Sequence, residues 1–211
     1  MSTHEDQVAQ LLNQAGQTYA EEAGITLEDT PKPLFQLLVL CMLASKPIDA
    51  EIAVHAAREI FHAGLRTPEA VLDARRCTMI AAFGRAGYAR YDESSATRLV
   101  AIAETVRDRH HGDLRTLAEA AGQDVHRVAT LLQEFTGIGP TGSAIFLREV
   151  QDTWTWVRPF FDDRAIEAAR ELGLPTDPAA LAALAPRRVA HLAAALVRVS
   201  LDAELRAALT D

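Results

Sequence analysis

The sequence predicts an all-α protein, and three observations carry that expectation. Nearly half of the residues, 49%, are apolar and only 6% are aromatic, with Ala and Leu prominent, a composition that suits packed helices. Apolar side chains recur at helical spacing from the first stretch (Val8, Leu11, Leu12, Ala15, Tyr19) to the last. Cap-and-proline signals punctuate the runs, and no segment alternates convincingly with the period of a strand. At 211 residues the chain could form one domain or two small ones, and it is long enough to bury a core.

Taken in order, His4 to Ala23 reads as one amphipathic helix closed by Gly24. Thr30-Pro31-Lys32-Pro33 is a break. Leu34 to Ser45 is apolar almost all round, as expected of a helix at the centre of a core. After Lys46-Pro47-Ile48, Asp49 is positioned to cap a helix to His62. Thr67-Pro68 opens a short helix to Ala74, and another covers Cys77 to Phe83. Gly84 and Gly87 mark a loop, and Asp92 or Ser94 starts a long helix ending near His110-His111-Gly112. Asp113 and Asp124 cap the next two helices, and Pro140 begins a third. Trp154 to Val157 reads as a short extended turn. A helix follows Asp162 over Ala165 to Leu172, and two Ala/Leu-rich helices start at Ala179 and Pro186. There is no internal repeat and no low-complexity tail.

The formal charge of −8 argues against indiscriminate nucleic-acid binding. Its distribution is uneven. Residues 1–30 contain no Lys or Arg, whereas between Arg75 and Arg115 the arginines outnumber the acids, leaving room for a local basic face or an ordinary solvated surface. The two cysteines, Cys41 and Cys77, sit in apolar helical surroundings without metal-ligand spacing, so both are expected to be buried, reduced thiols. No signal peptide opens the chain, and the Leu34–Ser45 run is too short for a bilayer. A soluble, monomeric, cytoplasmic protein with no membrane partner is expected.

Thr136-Gly137-Ile138-Gly139-Pro140 is the most informative stretch. Two apolar helical runs flank it, its glycines permit a tight turn, and Pro140 suits the first position of a new helix. Thr141, Gly142 and Ser143 then occupy a first turn whose unpaired N–H groups suit an anion such as phosphate. Asp162-Asp163 follows on the next element. Together these resemble the helix-hairpin-helix of the endonuclease III superfamily of DNA glycosylases, in which the hairpin grips the DNA backbone and an aspartate follows it.

The resemblance implies a two-lobed fold: a helical-barrel domain over 31–150 holding the hairpin at 124–150, and a second lobe from 1–30 plus 151–211 carrying the catalytic aspartate, with a DNA cleft between. It implies a backbone grip by Thr136, Gly137, Ile138, Gly139, Thr141, Gly142 and Ser143. The Met42–Asp49 stretch resembles the junction whose polar residue plugs the gap left by a flipped base, which places Lys46 at the plug. Gly87–Tyr91 resembles a loop that approaches DNA in that family. Three departures matter. Relatives that cut the strand carry a lysine where this chain has Thr141, implying a monofunctional enzyme. No cysteine follows Cys77, so the C-terminal iron–sulfur cluster of many relatives is not expected. The segment between Thr141 and the acidic pair is a few residues longer than in typical members.

The implied activity is excision of a damaged or modified base from duplex DNA, the first step of base excision repair. Breaking the N-glycosidic bond builds positive charge on the sugar, which a fixed carboxylate stabilises while orienting water. In the family the catalytic Asp precedes, by three residues, an inward-packing apolar side chain. Ile166 fits that role for Asp163, so Asp163 is the expected catalyst, with Asp162 as cap or support; the bland alternative is that both merely cap the helix. Tyr88, Tyr91, Trp154 and Trp156 are candidates for a base pocket, with the two tryptophans expected to be exposed and Phe160 and Phe161 to be core. That aromatic character leans toward electron-poor alkylated bases. Arg148, Arg158 and Arg164 could meet phosphate, or form salt bridges with Glu149 or Glu167. The seven histidines form no defensible metal site and no cofactor is expected, although family hairpins sometimes hold a monovalent cation through backbone carbonyls. Two other readings remain: a non-catalytic DNA-binding or damage-sensing module, and a hairpin used for protein contact.

Overall fold

A computed structural model describes residues 3–210, and every regular element among them is helical. In chain order these are α1 (His4–Ala15), α2 (Tyr19–Glu22), α3 (Pro31–Ala44), α4 (Ala50–His62), α5 (Pro68–Leu72), α6 (Arg76–Arg85), α7 (Asp92–His110), α8 (Arg115–Ala121), α9 (Val125–Leu132), α10 (Pro140–Val150), α11 (Asp163–Glu171), α12 (Pro178–Leu184), α13 (Val189–Leu201) and α14 (Ala203–Thr210). One-turn 3-10 helices precede α7 and follow α10, the second at Thr155–Val157 where an extended turn was expected.

The chain divides into two compact units, one over Ala20–Phe146 and one formed by its two ends. The sequence reading placed changes of lobe at 30/31 and 150/151; these units change over at 19/20 and 146/147. Two arginines of the terminal unit hold Tyr19 at the first of these. Tyr19 is held by Arg198, whose guanidinium carbon lies 4.3 Å from the ring centroid, and by Arg148 at 5.5 Å. Arg115 instead reaches the Asp29 carbonyl, fastening that stretch to the central unit.

In the central unit α3 packs on α4 and α7, α5 on α7, α4 on α6, and α8 on α9. Every residue of α3 from Leu34 to Leu43 is buried, as its all-round apolarity predicts. Capping follows the sequence signals closely. Asp49 accepts from Glu51 N–H at 2.8 Å, Thr67 from Ala70 N–H at 3.2 Å and Asp124 from Arg127 N–H at 2.7 Å, each satisfying a donor that would otherwise lack a partner. In the terminal unit α13 is buried on all sides, packing on α1, α11 and α14.

Several expectations need correction. The first helix stops at Ala15, where Gly16 caps it by donating its N–H to the Leu12 carbonyl, and Tyr19 opens a separate short helix. The element after Asp162 starts at Asp163, not Ala165, since Asp162 itself is the cap. Asp113 lies one residue too early to be the cap of α8, although its carboxylate accepts from Arg115 N–H. An additional helix, α14, is capped by Asp202, which accepts from the N–H groups of Glu204 and Leu205. Cys41 is buried, but Cys77 is exposed near the start of α6.

Candidate nucleic-acid interface and acidic pair

The hairpin is built by α9, the loop 133–139 and α10. Leu132, Phe135 and Ile138 are buried and anchor it. Phe135 also stacks on His110, with centroids 5.5 Å apart. The tip has one left-handed residue, Gly137, with φ +92°, a conformation that other L-residues rarely adopt. A Cβ there would also lie 2.8 Å from Arg98 Cδ. Gly139 differs from expectation: it has neither positive φ nor crowding, so the turn requires only one of the two glycines. Gly142 is the close-approach position. A Cβ on it would fall 2.5 Å from Ser45 Oγ and 3.5 Å from the Cys41 carbonyl, so this glycine lets α10 settle against the end of α3.

At the head of α10, the N–H groups of Gly137, Gly139 and Thr141 find no acceptor among the described residues, and Thr136 and Thr141 are exposed. Ser143 does not fit its expected role. It is 2% exposed, donates to the Pro140 carbonyl at 3.0 Å and accepts from Gln133 Nε2 at 3.2 Å, so its hydroxyl is committed internally. Ile138 and Gly142 are buried as well, leaving backbone atoms of the tip and the exposed Thr136 and Thr141 as its polar groups.

Lys46 lies half-buried in the α3–α4 junction with its ammonium 5.8 Å from the Tyr91 ring centroid. Tyr88, expected in a base pocket, is instead fully buried and donates to the Leu43 carbonyl at 3.0 Å. Burial raises its phenol pKa above the usual value. Tyr91 remains half-buried at the surface.

In the terminal unit the acidic pair heads α11. Asp162 is fully engaged: Oδ1 accepts from Ala165 N–H at 2.9 Å and Oδ2 from Arg148 Nη1 at 2.7 Å. Arg148, a candidate phosphate contact by sequence, is only 3% exposed. Burial would lower its pKa, but the charges of Glu149 and Asp162 outweigh that and raise it, so the guanidinium stays ionised. Its Nε is buried without a hydrogen-bond partner and lies 3.6 Å from Glu149 Oε1. Asp163 and Arg164 are exposed, and no hydrogen bond or ion pair engages Asp163 among the described residues. The packing rule that selected Asp163 is overturned. Ala165 is fully buried while Ile166 is only partly so, in a helix that starts two residues earlier than expected. By inward packing alone, the pattern fits Asp162.

The loop between α10 and α11 is tied down by residues that sequence reading passed over. Gln151 is buried; its Nε2 donates to the carbonyls of Arg148 and Phe160, and its Oε1 accepts from Phe160 N–H. Asp152 binds Arg158 Nη2 at 2.5 Å and His191 Nδ1 at 3.3 Å. Burial pushes the Asp152 pKa up, but hydrogen bonds from His191 and the Ala190 N–H, with the Arg158 charge, hold it below the usual carboxylate range. Arg158 is therefore bound to Asp152 rather than to Glu149 or Glu167. Trp154 is buried and stacks on Trp156 with centroids 5.5 Å apart; only Trp156 is partly accessible, contrary to the expected exposure of both. Phe161 is buried and Phe160 half-buried. The only advance signal for this lattice was a run of polar residues directly after an apolar helix. Among the described residues no cluster of His, Cys, Asp and Glu is arranged to hold a metal.

No family model, curated protein or solved structure matches this chain.

Proposed function

We propose that this protein is a monofunctional DNA N-glycosylase of the helix-hairpin-helix, endonuclease III-like type, which holds duplex DNA through its hairpin and removes a damaged or modified base. The hairpin carries the reading: a left-handed Gly137, unpaired N–H groups at the tip and an anchored pair of helices form a cradle suited to phosphate. The two-unit division, with the acidic pair in the unit built from the chain ends, is compatible with a two-lobed enzyme. Thr141 supplies no amine, which supports hydrolysis of the base without strand cleavage.

Within the pair, Asp163 is read as the catalytic carboxylate because it is exposed and carries an unbalanced charge. Asp162, balanced by Arg148 at 2.7 Å, would hold the helix start in place. An oxocarbenium-like sugar gains more from the former than from a carboxylate already neutralised by a guanidinium, and loss of such a partner commonly costs on the order of 3 kcal/mol in the barrier. Tyr91 and Trp156 remain as aromatic surfaces for an everted base. The committed Asp162 equally favours a second reading, a hairpin protein that binds duplex DNA without chemistry.

The test incubates the protein with end-labelled duplexes carrying alkylated, deaminated, oxidised and mismatched bases, with and without hot alkali, alongside Asp162→Asn and Asp163→Asn. Breaks seen only after alkali, and lost in Asp163→Asn, are expected. Loss in Asp162→Asn alone would transfer catalysis to the packing-rule position. Tight binding without product on any duplex would replace the enzyme by the binding module.

A further inference from the structure

Residues 87–91 are fastened to the end of α3 from beneath. Tyr88 anchors them through its bond to the Leu43 carbonyl, and the Tyr91 ring lies against Tyr88 with centroids 6.0 Å apart. Around Tyr91 stand two cations, the Lys46 ammonium at 5.8 Å and the Arg90 guanidinium carbon at 5.5 Å from the ring centroid. The π face attracts each cation but neutralises neither. The neighbouring carboxylates are committed elsewhere: Asp49 caps α4, Asp92 accepts from Glu93 N–H, and Glu93 binds Arg76. Among the described residues neither Lys46 nor Arg90 forms an ion pair. In a chain with a formal charge of −8, two uncompensated cations gathered on one ring call for an anionic third partner.

We propose that Lys46, Tyr91 and Arg90 form a clamp for a phosphodiester, so that Lys46 grips the backbone rather than filling the place of an everted base. The inference rests on the duplex-DNA reading above and assigns a different task to the junction residue. Three features favour a polymer over a free phosphate. Ser45, next to Lys46, packs against Gly142 of the hairpin, which ties the junction carrying Lys46 to the hairpin within the central unit. The two elements offer separate anion positions, as successive phosphates require. Tyr91 adds half-buried aromatic surface beside the cations, and an aromatic ring next to positive charge suits a nucleotide, whose base can stack while its phosphate is held.

The roles of clamp and plug predict different measurements. A phosphate contact contributes about 0.9 to the slope of log affinity against log salt, worth about fivefold in affinity near 0.15 M salt. A plug contributes to base eversion and little to that slope. Duplex binding would be followed by fluorescence anisotropy from low to moderate salt for the intact protein, Lys46→Gln and Arg90→Ala. The same duplex with 2-aminopurine opposite an abasic site would report unstacking. Each substitution is expected to lower the slope by about 0.9 while the 2-aminopurine signal at saturation stays unchanged; matching melting curves confirm that the variants fold. An unchanged slope in Lys46→Gln, with loss of the 2-aminopurine signal, overturns the clamp and restores the plug while the DNA reading stands. Displacement of duplex by millimolar inorganic phosphate, beyond chloride at equal ionic strength, overturns the polymer assignment. Absence of binding by the intact protein overturns the DNA reading and the clamp with it.

Discussion

Replacing Arg148 by Met tests how the acidic pair is held. The guanidinium is 3% exposed, donates to Asp162 at 2.7 Å and lies 3.6 Å from the buried Glu149 carboxylate. Methionine fills a similar volume but removes the positive charge between two carboxylates. Breaking a buried ion pair from one side costs about 3–5 kcal/mol, because the partner charge stays out of water. In a chain of this size, about 2–4 °C of melting temperature accompanies each kcal/mol, so a drop of roughly 6–20 °C is expected. Urea unfolding followed by circular dichroism should show a lower midpoint at constant slope, the signature of lost stability rather than altered compactness. Combining Arg148→Met with Glu149→Gln and Asp162→Asn should recover much of the loss, since no buried charge is then left uncompensated. A loss below about 1 kcal/mol in the single variant, or no recovery in the triple, would refute the claim that Arg148 holds the start of α11 through charge.

Other outcomes follow from the same geometry. Gly137→Ala should cost about 1–2 kcal/mol in thermal unfolding, because alanine must occupy a left-handed conformation. Gly142→Ala should cost about 1–3 kcal/mol by forcing Ser45 Oγ off the Cys41 carbonyl, whereas Gly139→Ala, with open space around it, should melt like the parent. His110 is half-buried, and this partial burial, with the charge of Arg109 beside it, lowers its pKa from the usual 6.5. The unfolded chain therefore takes up that proton first, so stability is full above pH 6.5 and falls as pH drops below it; His110→Phe should flatten this slope in denaturant titrations between pH 7 and 5. Asp152 has the depressed pKa of a bonded carboxylate, so its contribution is present above the usual 3.8 and is lost as pH falls through the lower folded value, a loss that Asp152→Asn should abolish in acid melts. Native protein should take one thiol label, at Cys77, and a second at Cys41 only in denaturant, as counted by intact mass.

Helix identity was legible where one residue both carries the signal and performs the task. Asp49, Thr67, Asp124 and Asp162 read as caps and act as caps. The all-apolar Leu34–Leu43 stretch read as a central helix, because neighbours cover every face. What failed was exposure. Tyr88 and Trp154 look like recognition aromatics in one dimension, and nothing local reveals that Leu43 accepts from the one or that Trp156 covers the other. Ser143 looked like a donor to phosphate until Pro140 and Gln133 claimed its hydroxyl. Asp162 and Asp163 are neighbours of identical chemistry. Their different fates depend on Arg148, fourteen residues before Asp162, and on a helix start displaced from its expected place. Gly142 held a legible hint: a glycine inside a helix, where the turn does not need it, marks close packing.

The interleaving of the chain has a consequence for its birth on the ribosome. Helix α1 is made well before its partner, since Val8 and Leu11 are buried in the unit whose helix α13 begins only at Val189. At about 5–20 residues per second, its apolar stripe waits roughly 10–35 s for that partner, a delay during which Ala20–Phe146 is synthesised. The capping box in which Thr3 and Asp6 hydrogen-bond each other is local and needs no late partner. It biases this segment toward helix through the delay, and the absence of Lys and Arg from residues 1–30 discourages premature association with nucleic acid.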